Sequence, residues 1–482
     1  MPRRTKIIAT LGPATDAPAM LEKIIQAGVD IVRLNFSHGT VENHQQRFDA
    51  VRQCARALGR HVAVMADLQG PKIRIEKFQT GRITLSEGDN FILDAACPSD
   101  AGTQERVGLT YKQLPRDVRA NDTLLLDDGR IVLGVEKVEQ TLIFCRVQVG
   151  GTLSNNKGIN RLGGGLSAET LTHKDRTDLI AAAKMGVDYL AISFPRSAEN
   201  VHEARRLLQA AGSKAGIVAK IERAEAVTNY EEIIRAADVI MVARGDLGVE
   251  IGDAALPAVQ KMLIKKTRDL NKVVITATQM MESMIENPIP TRAEVSDVAN
   301  AVFDGTDAVM LSAETASGKY PDKAVIAMDR VCQEAEKQPM TRVSDHRLAL
   351  HFGRIDEAIA MATMYTANHL DVKAIVSLTE SGSTPLWMSR ISSGIPIYAF
   401  SRHLETCQKV TLYRGVYPVH LDLAAFDIVE VNHAVLNRLQ SSGAVSDGDL
   451  VIITKGDLRG ISGGTNLMKV ICVGDEKTLI NV

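Results

Sequence analysis

From Lys6 onward, apolar runs too short to be helices alternate with amphipathic stretches. The runs at Lys6–Thr10, Asp30–Phe36 and Val62–Asp67 read as buried parallel strands, and five more follow a long gap. These are Asp188–Phe194, Gly216–Ile221, Val239–Ala243, Val273–Ala277 and Asp307–Leu311. Helical patterns fall between them, for example at Met20–Ala27, His44–Leu58, His202–Ala211, Ala224–Ala237 and Ala255–Leu270, and Asp322–Gln338 closes the series. Eight strand–helix units in about 250 residues is the arithmetic of a (β/α)8 TIM barrel. A doubly wound open sheet is the alternative α/β architecture. The barrel is preferred because polar residues gather after nearly every strand, as a ring of eight loops requires.

The gap changes character. Short runs at Arg82–Leu85, Asn90–Leu93, Thr123–Leu126, Ile131–Val135 and Leu142–Val149 are separated by Gly- and Asp-containing turns, and Asp128-Gly129 is a hairpin signal. An all-β insert is expected, returning through the Asn- and Gly-rich stretch Asn155–Gly165, where Gly163-Gly164-Gly165 reads as a hinge. Leaving the barrel after its third strand, the insert is placed to serve as a lid. The polar stretch Gln338–Gly353 marks a second boundary. Beyond it a helix near Ile355–Leu370 and strands near Ala374–Leu378, Ile395–Phe400, Tyr417–His420, Leu450–Thr454 and Val470–Val473 read as a smaller open-sheet domain. The expected division is 1–70 with 166–340 for the barrel, 71–165 for the lid and 341–482 for the C-terminal α/β domain.

Composition narrows the function more than the fold. The 482 residues carry 56 Lys and Arg against 58 Asp and Glu, a net charge of −2, which provides no basic field for nucleic acid. The single Trp argues against stacking on bases. Six scattered cysteines form no C-x-x-C pair, which fits a reducing compartment better than a disulfide framework or a zinc site. The apolar part of the basic opening, MPRRTKIIATLGP, is too short for a signal peptide, and no run approaches a membrane span. The expectation is a cytoplasmic protein bound to neither membrane nor nucleic acid.

Candidate chemistry sits at the strand ends, where α/β folds place their sites. Lys220 and Glu222 end one strand; Arg244 and Asp246 end the next, and residues two apart on a strand share a face. Glu222 and Asp246 read either as solvated loop acids or, converging from neighbouring strands, as ligands of a hard cation such as Mg²⁺. Lys220 has three readings: an imine-forming amine, a fixed cation for a transferring phosphoryl group or enolate, and an ion-pair partner. Arg33, Asn35, Ser37 and His38 follow the second strand, Asp67 ends the third with Lys72 and Arg74 beyond it, Thr278 ends the seventh, and Ser312 and Glu314 follow the eighth. Together they suit a phosphorylated substrate with a metal, and no G-x-x-x-x-G-K-[ST] loop is present to cradle nucleotide phosphates.

The stretches RLNFSHG, DLQGPKIR, AKIE, MVARGDLGVEI, TATQMMESM and PTRAEVSDVANAVFDGTDAVMLSAET resemble those of pyruvate kinases, in order and through the whole chain. The resemblance implies transfer of the phosphoryl group of phosphoenolpyruvate to ADP, giving pyruvate and ATP in the last step of glycolysis. It implies Mg²⁺, replaceable by Mn²⁺, on Glu222 and Asp246, with Lys220 as the transition-state cation and Arg33 on the phosphoryl group. Gly245, Asp246 and Thr278 fall at the substrate carboxylate, with Thr278 also at the proton-delivery site and Ser312 and Glu314 nearby. Asn35, Ser37, His38, Arg74 and Lys174 match nucleotide-side positions. Arg244 is left as a structural ion.

One departure matters. Many members read D-T-K-G-P-E-I-R and need K⁺, whereas here the monovalent-cation region is Asn35, Ser37, Asp67 and Leu68, with Lys72 in place of the Glu. An ammonium there supplies the charge that K⁺ otherwise brings, so activity without K⁺ is expected, and Asn35, Ser37 and Asp67 then read as structural. In the C-terminal domain Thr379, Ser381, Gly382, Ser383 and Thr384 form a strand–turn–helix start, either ordinary capping or a phosphate cradle. Its match to the family's effector loop, with the Gly-rich Lys455–Thr465 segment, implies a phosphorylated allosteric activator, and the family implies a homotetramer. Competing readings are a barrel lyase or aldolase acting on a pyruvate enolate, and a non-catalytic effector-binding relative.

Overall fold

The structure is a computed structural model that describes residues 2–342, 351–422, 428–457 and 462–475. Part of the expected boundary at Gln338–Gly353 and part of the Lys455–Thr465 loop lie outside the described residues. Eight parallel strands close into a barrel in chain order, the first pairing with both the second and the eighth. They are Lys6–Thr10, Ile31–Asn35, Ala63–Asp67, Tyr189–Ile192, Gly216–Ile221, Val239–Ala243, Val273–Ala277 and Ala308–Leu311. The open-sheet alternative is thereby excluded.

Alternation of side chains along each strand explains both the core and the site. Outward residues such as Ile7, Val32, Val64, Ile217, Ile240 and Val309 pack under the surrounding helices. Inward residues, among them Ile8, Ile31, Met65, Tyr189, Val218, Met241, Ile275 and Met310, fill the barrel, and their cluster continues into Met364, Met388 and Ile391 of the C-terminal domain. The inward series therefore stays apolar over the lower barrel. One or two positions further along the same face it turns polar: Thr10 after Ile8, Arg33 after Ile31, Asp67 after Met65, Lys220 after Val218.

The insert between the third and fourth strands has its own core, from Ile73 and Phe91 to Leu153 and Ile159. A six-stranded and a two-stranded sheet build it. Five of its strands match the expected runs; Arg106–Gly108, Gly151–Ser154 and Ile159–Arg161, at three or four residues each, are too short to show a period. The C-terminal sheet orders its strands, taken in sequence as one to five, 3-2-1-4-5, with only the last pairing antiparallel. Among the described residues no helix is long and apolar enough to cross a membrane.

Two expectations need correction. The single helix over Ala224–Ala237 is two, Ala224–Thr228 and Tyr230–Ala236, broken at Asn229, whose side-chain amide donates to the carbonyl of Arg196. Arg244 and Asp246 do not extend the sixth strand; they open a helix, Arg244–Ile251. Two residues apart on a helix is about 200° of rotation, so they face different ways.

Candidate active site

The polar inward residues meet at the C-terminal mouth of the barrel. Asp67 is fully buried, and its Oδ2 accepts from Arg33 Nε at 2.6 Å while its Oδ1 lies 3.3 Å from Lys220 Nζ. Lys220 Nζ also reaches Glu222 Oε1 at 2.9 Å and donates to Ser193 Oγ at 2.8 Å. Arg33 donates through Nη1 to Thr10 Oγ1 at 3.1 Å. Two cations and two carboxylates are thus interleaved, which is how buried charges are tolerated.

Burial raises the Asp67 carboxyl, but Lys220 and Arg33 outweigh it and hold the group below its ordinary range. Burial likewise lowers the Lys220 ammonium, yet Asp67 and Glu222 carry it above its usual value. Glu222 goes the other way: burial and the nearby Asp246 raise it in spite of Lys220. A dense site with an over-concentrated pair of acids favours a cation between them. Glu222 Oε2 already accepts from the Phe194 amide at 2.8 Å, and Asp246 Oδ1 accepts from Lys72 Nζ at 3.1 Å. Among the described residues no three His, Cys, Asp or Glu side chains group as a metal site. Two carboxylates fit Mg²⁺, which commonly completes its shell with water and substrate oxygens.

Thr278 sits at φ +68°, a strained conformation for a β-branched residue. Arg244 maintains it. Its guanidinium donates to the Thr278 carbonyl at 2.6 Å and is held from behind by Asp297 at 2.7 Å. Thr278 Oγ1 donates to the Ala277 carbonyl and accepts from the Gly245 amide at 2.8 Å, joining the seventh-strand loop to the first turn of the Arg244–Ile251 helix. Glu314 is buried and its carboxylate accepts from the amides of Ser312 at 2.7 Å and Met281 at 3.2 Å, tying the seventh and eighth loops together.

The positions that the resemblance assigns to the nucleotide are more spread out. Asn35 Oδ1 accepts from the Ser37 amide, His38 is exposed, and Lys174 donates to the Phe36 carbonyl at 2.8 Å while pairing with Asp178. Arg74 lies in the insert, its guanidinium on the Asn156 carbonyl. In the C-terminal domain Thr379 Oγ1 accepts from the Gly382 amide, Ser381 and Ser383 are hydrogen-bonded, and Thr384 reaches Thr465 at 2.7 Å.

The pyruvate kinase barrel-domain family model matches residues 2–325, and the pyruvate kinase alpha/beta-domain model matches 357–471. The chain belongs to the pyruvate kinase family. It is 58% identical to pyruvate kinase II of Salmonella typhimurium over 475 residues, 98% of this chain and 99% of that one. A pyruvate kinase of Haemophilus influenzae is 58% identical over 458 residues, covering 94% and 96%. Pyruvate kinase 2 of Synechocystis is 42% identical, over 98% of this chain and 79% of the relative. Membership makes the chain an enzyme, a kinase built on a TIM barrel with a C-terminal α/β domain.

Ser193 was not singled out from the sequence. In the sequence it is one residue of the expected strand Asp188–Phe194, and only the structure, which ends that strand at Ile192, shows it against Lys220. A signal was present: Ser193 continues the inward series Tyr189, Ala191.

Proposed function

We propose that the barrel mouth transfers the phosphoryl group of phosphoenolpyruvate to the terminal phosphate of ADP. The bond from phosphorus to the enol oxygen breaks, a bond to an ADP oxygen forms, and the enolate takes a proton at carbon to give pyruvate. The observation that carries this reading is Lys220, held as an ammonium between Asp67, Glu222 and Ser193. A permanent cation there stabilises charge on the phosphoryl group and the enol oxygen, and a loose phosphoryl transfer asks chiefly for such charges and for positioning. The same pairing disfavours an imine, which needs a neutral amine, and so disfavours the aldolase reading.

Arg33 grips the phosphoryl group from the second strand. Glu222 and Asp246 would hold Mg²⁺, or Mn²⁺ in its place, which when bound neutralises the phosphate oxygens. The Gly245–Asp246 backbone and Thr278 receive the substrate carboxylate at a helix N-terminus, with Ser312 and Glu314 shaping that end, and Thr278 lies where the enolate is protonated. Asn35, Ser37, His38, Arg74 and Lys174 form the nucleotide side, closed by the lid (71–165). Lys72, already seated on Asp246, makes K⁺ unnecessary. Thr379, Ser381, Gly382, Ser383 and Thr384 take a phosphorylated activator, in a homotetramer.

Pyruvate release tests the reading. It should require phosphoenolpyruvate, ADP and Mg²⁺ together, and should proceed in tetramethylammonium buffer without KCl. Pyruvate formed without ADP, or trapping of substrate on Lys220 by borohydride, would overturn the kinase reading; strong activation by KCl would overturn the role given to Lys72. Sugar phosphates or AMP should raise the apparent affinity for phosphoenolpyruvate, and no change would remove the effector site.

A further inference from the structure

Away from the mouth, at the base of the barrel, four arginines converge on the seam with the C-terminal domain. Arg390 is fully buried and pairs with Asp307 through both terminal nitrogens. Arg414 uses the same carboxylate through its backbone amide at 3.2 Å, and its guanidinium donates to the carbonyls of Val302 and Thr306. Arg4 sits 3.6 Å from Glu336, a carboxylate already taking the amides of Arg4 and Thr5 and the Thr5 hydroxyl. Arg268, in the last turn of the helix Leu256–Asp269, donates to the Arg390 carbonyl and to Ser392 Oγ at 3.3 Å. Its neighbour Asp269 pairs with Lys265 and also bears on Arg268.

Four guanidiniums stand against Asp307 and Glu336, with Asp269 beside Arg268, so among the described residues the cations outnumber the acids at this seam. The repulsion shows in the groups themselves: burial, then Arg390 and Arg414, push Arg268 down to about 10, and burial and Arg414 lower Arg4. Three of these arginines, Arg4, Arg268 and Arg414, line a cavity of about 20 Å³ together with Ser392, Ser393 and Ile391 among others. That volume holds one water-sized particle and is too small for a phosphate ester.

We propose that this cavity binds a single halide-sized inorganic anion, chloride in ordinary buffers, which cements the barrel base to the C-terminal domain. A water would fill the same space and meet the same donors but would leave the charge uncompensated. An anion bridges Arg268 on the barrel side to Arg414 and the Ser392–Ser393 hydroxyls on the other, so its occupancy sets how firmly the two docks hold.

The test is thermal unfolding of the full chain at constant ionic strength, sodium bromide replacing sodium isethionate, whose anion exceeds the cavity. Bromide should raise the Tm saturably, by about 2 °C or more. Ser392→Asp supplies a tethered carboxylate beside Arg268; it should raise the Tm in isethionate and abolish the bromide response. Crystals grown in bromide should show an anomalous peak between Arg268 and Arg414. Equal Tm in both salts, a bromide response that survives Ser392→Asp, or the absence of that peak would each overturn the assignment, and the peak decides the matter even where the variant fails to fold.

Discussion

Ser193 joins Lys220 to the point where the insert leaves the barrel. Its hydroxyl accepts from Lys220 Nζ at 2.8 Å and donates to the Leu68 carbonyl at 2.7 Å, and Leu68 is the first residue after the third strand. A hydrogen bond to a charged group contributes about 1.5–3 kcal/mol. Ser193→Ala should therefore lower kcat about tenfold or more, with KM for phosphoenolpyruvate little changed, because the ammonium loses aim rather than charge. Lys220→Met removes the charge and should lower kcat by about 10²–10³ or more, again with modest change in KM. Steady-state kinetics of both variants separate the two roles: equal losses would mean that Ser193 acts only by supporting the fold. The charged residues at the mouth were legible because isolated charges at strand ends stand out where a packed barrel otherwise ends in loops. Ser193 was not, because a hydroxyl has no charge to make it conspicuous.

At the scale of elements, both ends of the insert are fastened by backbone that only glycine adopts easily. Gly70 has φ +69°, and a Cβ there would lie 2.6 Å from that of Ser193. Gly70→Ala should cost about 1–3 kcal/mol and lower kcat by pushing Ser193 off Lys220, to be read as a joint loss in Tm and turnover. At the return end Gly163, Gly164 and Gly165 all have positive φ. The Gly163 amide donates to the Glu250 carbonyl, the Gly165 amide to Glu225 Oε1, and Arg223 donates to the Leu166 carbonyl at 3.0 Å. Inside this clasp Glu250 accepts from the Ala224 amide, and burial, aided by Glu225 and opposed by that amide and Arg223, pushes its carboxyl up to about 7.

The sign of the consequence follows from proton counting. Between the ordinary value of 4.5 and about 7 the folded state holds a proton that the unfolded state has lost. Stability from this group is therefore fullest below 4.5 and falls as pH rises through 7. Glu250→Gln should remove that decline, raising Tm relative to the parent at pH 8 but not at pH 4. Matching Tm–pH curves for the two proteins would show that Glu250 ionises freely. The glycine run reads as a hinge from the sequence; the carboxylate that holds it, Glu225, comes from a helix sixty residues away and has no local pattern.

For the whole molecule, the decisive joint is the barrel base. The inward core runs without interruption from Ile8 and Met310 into Met388 and Ile391, and the Asp307–Arg390 pair crosses the same seam with both side chains almost wholly buried. Removing one partner of a buried pair costs about 3–5 kcal/mol. Asp307→Asn should lower the Tm by several degrees in a thermal scan, with Lys220 chemistry intact in the protein that remains folded. An unchanged Tm would mean that solvent reaches the seam.

The sequence by itself determined the alternation that makes each barrel strand apolar at the base and polar at the mouth, and hence the barrel and the charged ring at one end. Those are local consequences of a two-residue period and of burial. Tertiary structure decided the pairings. It turned Arg244 toward Asp297 and Asp246 toward Lys72, because a helix beginning at the strand end rotates neighbours apart where a strand would align them. It also set Ser193 on Lys220, Glu250 under the glycine clasp and three distant arginines around one cavity. Such contacts depend on where separate elements meet in space, and residue spacing along the chain carries no information about that.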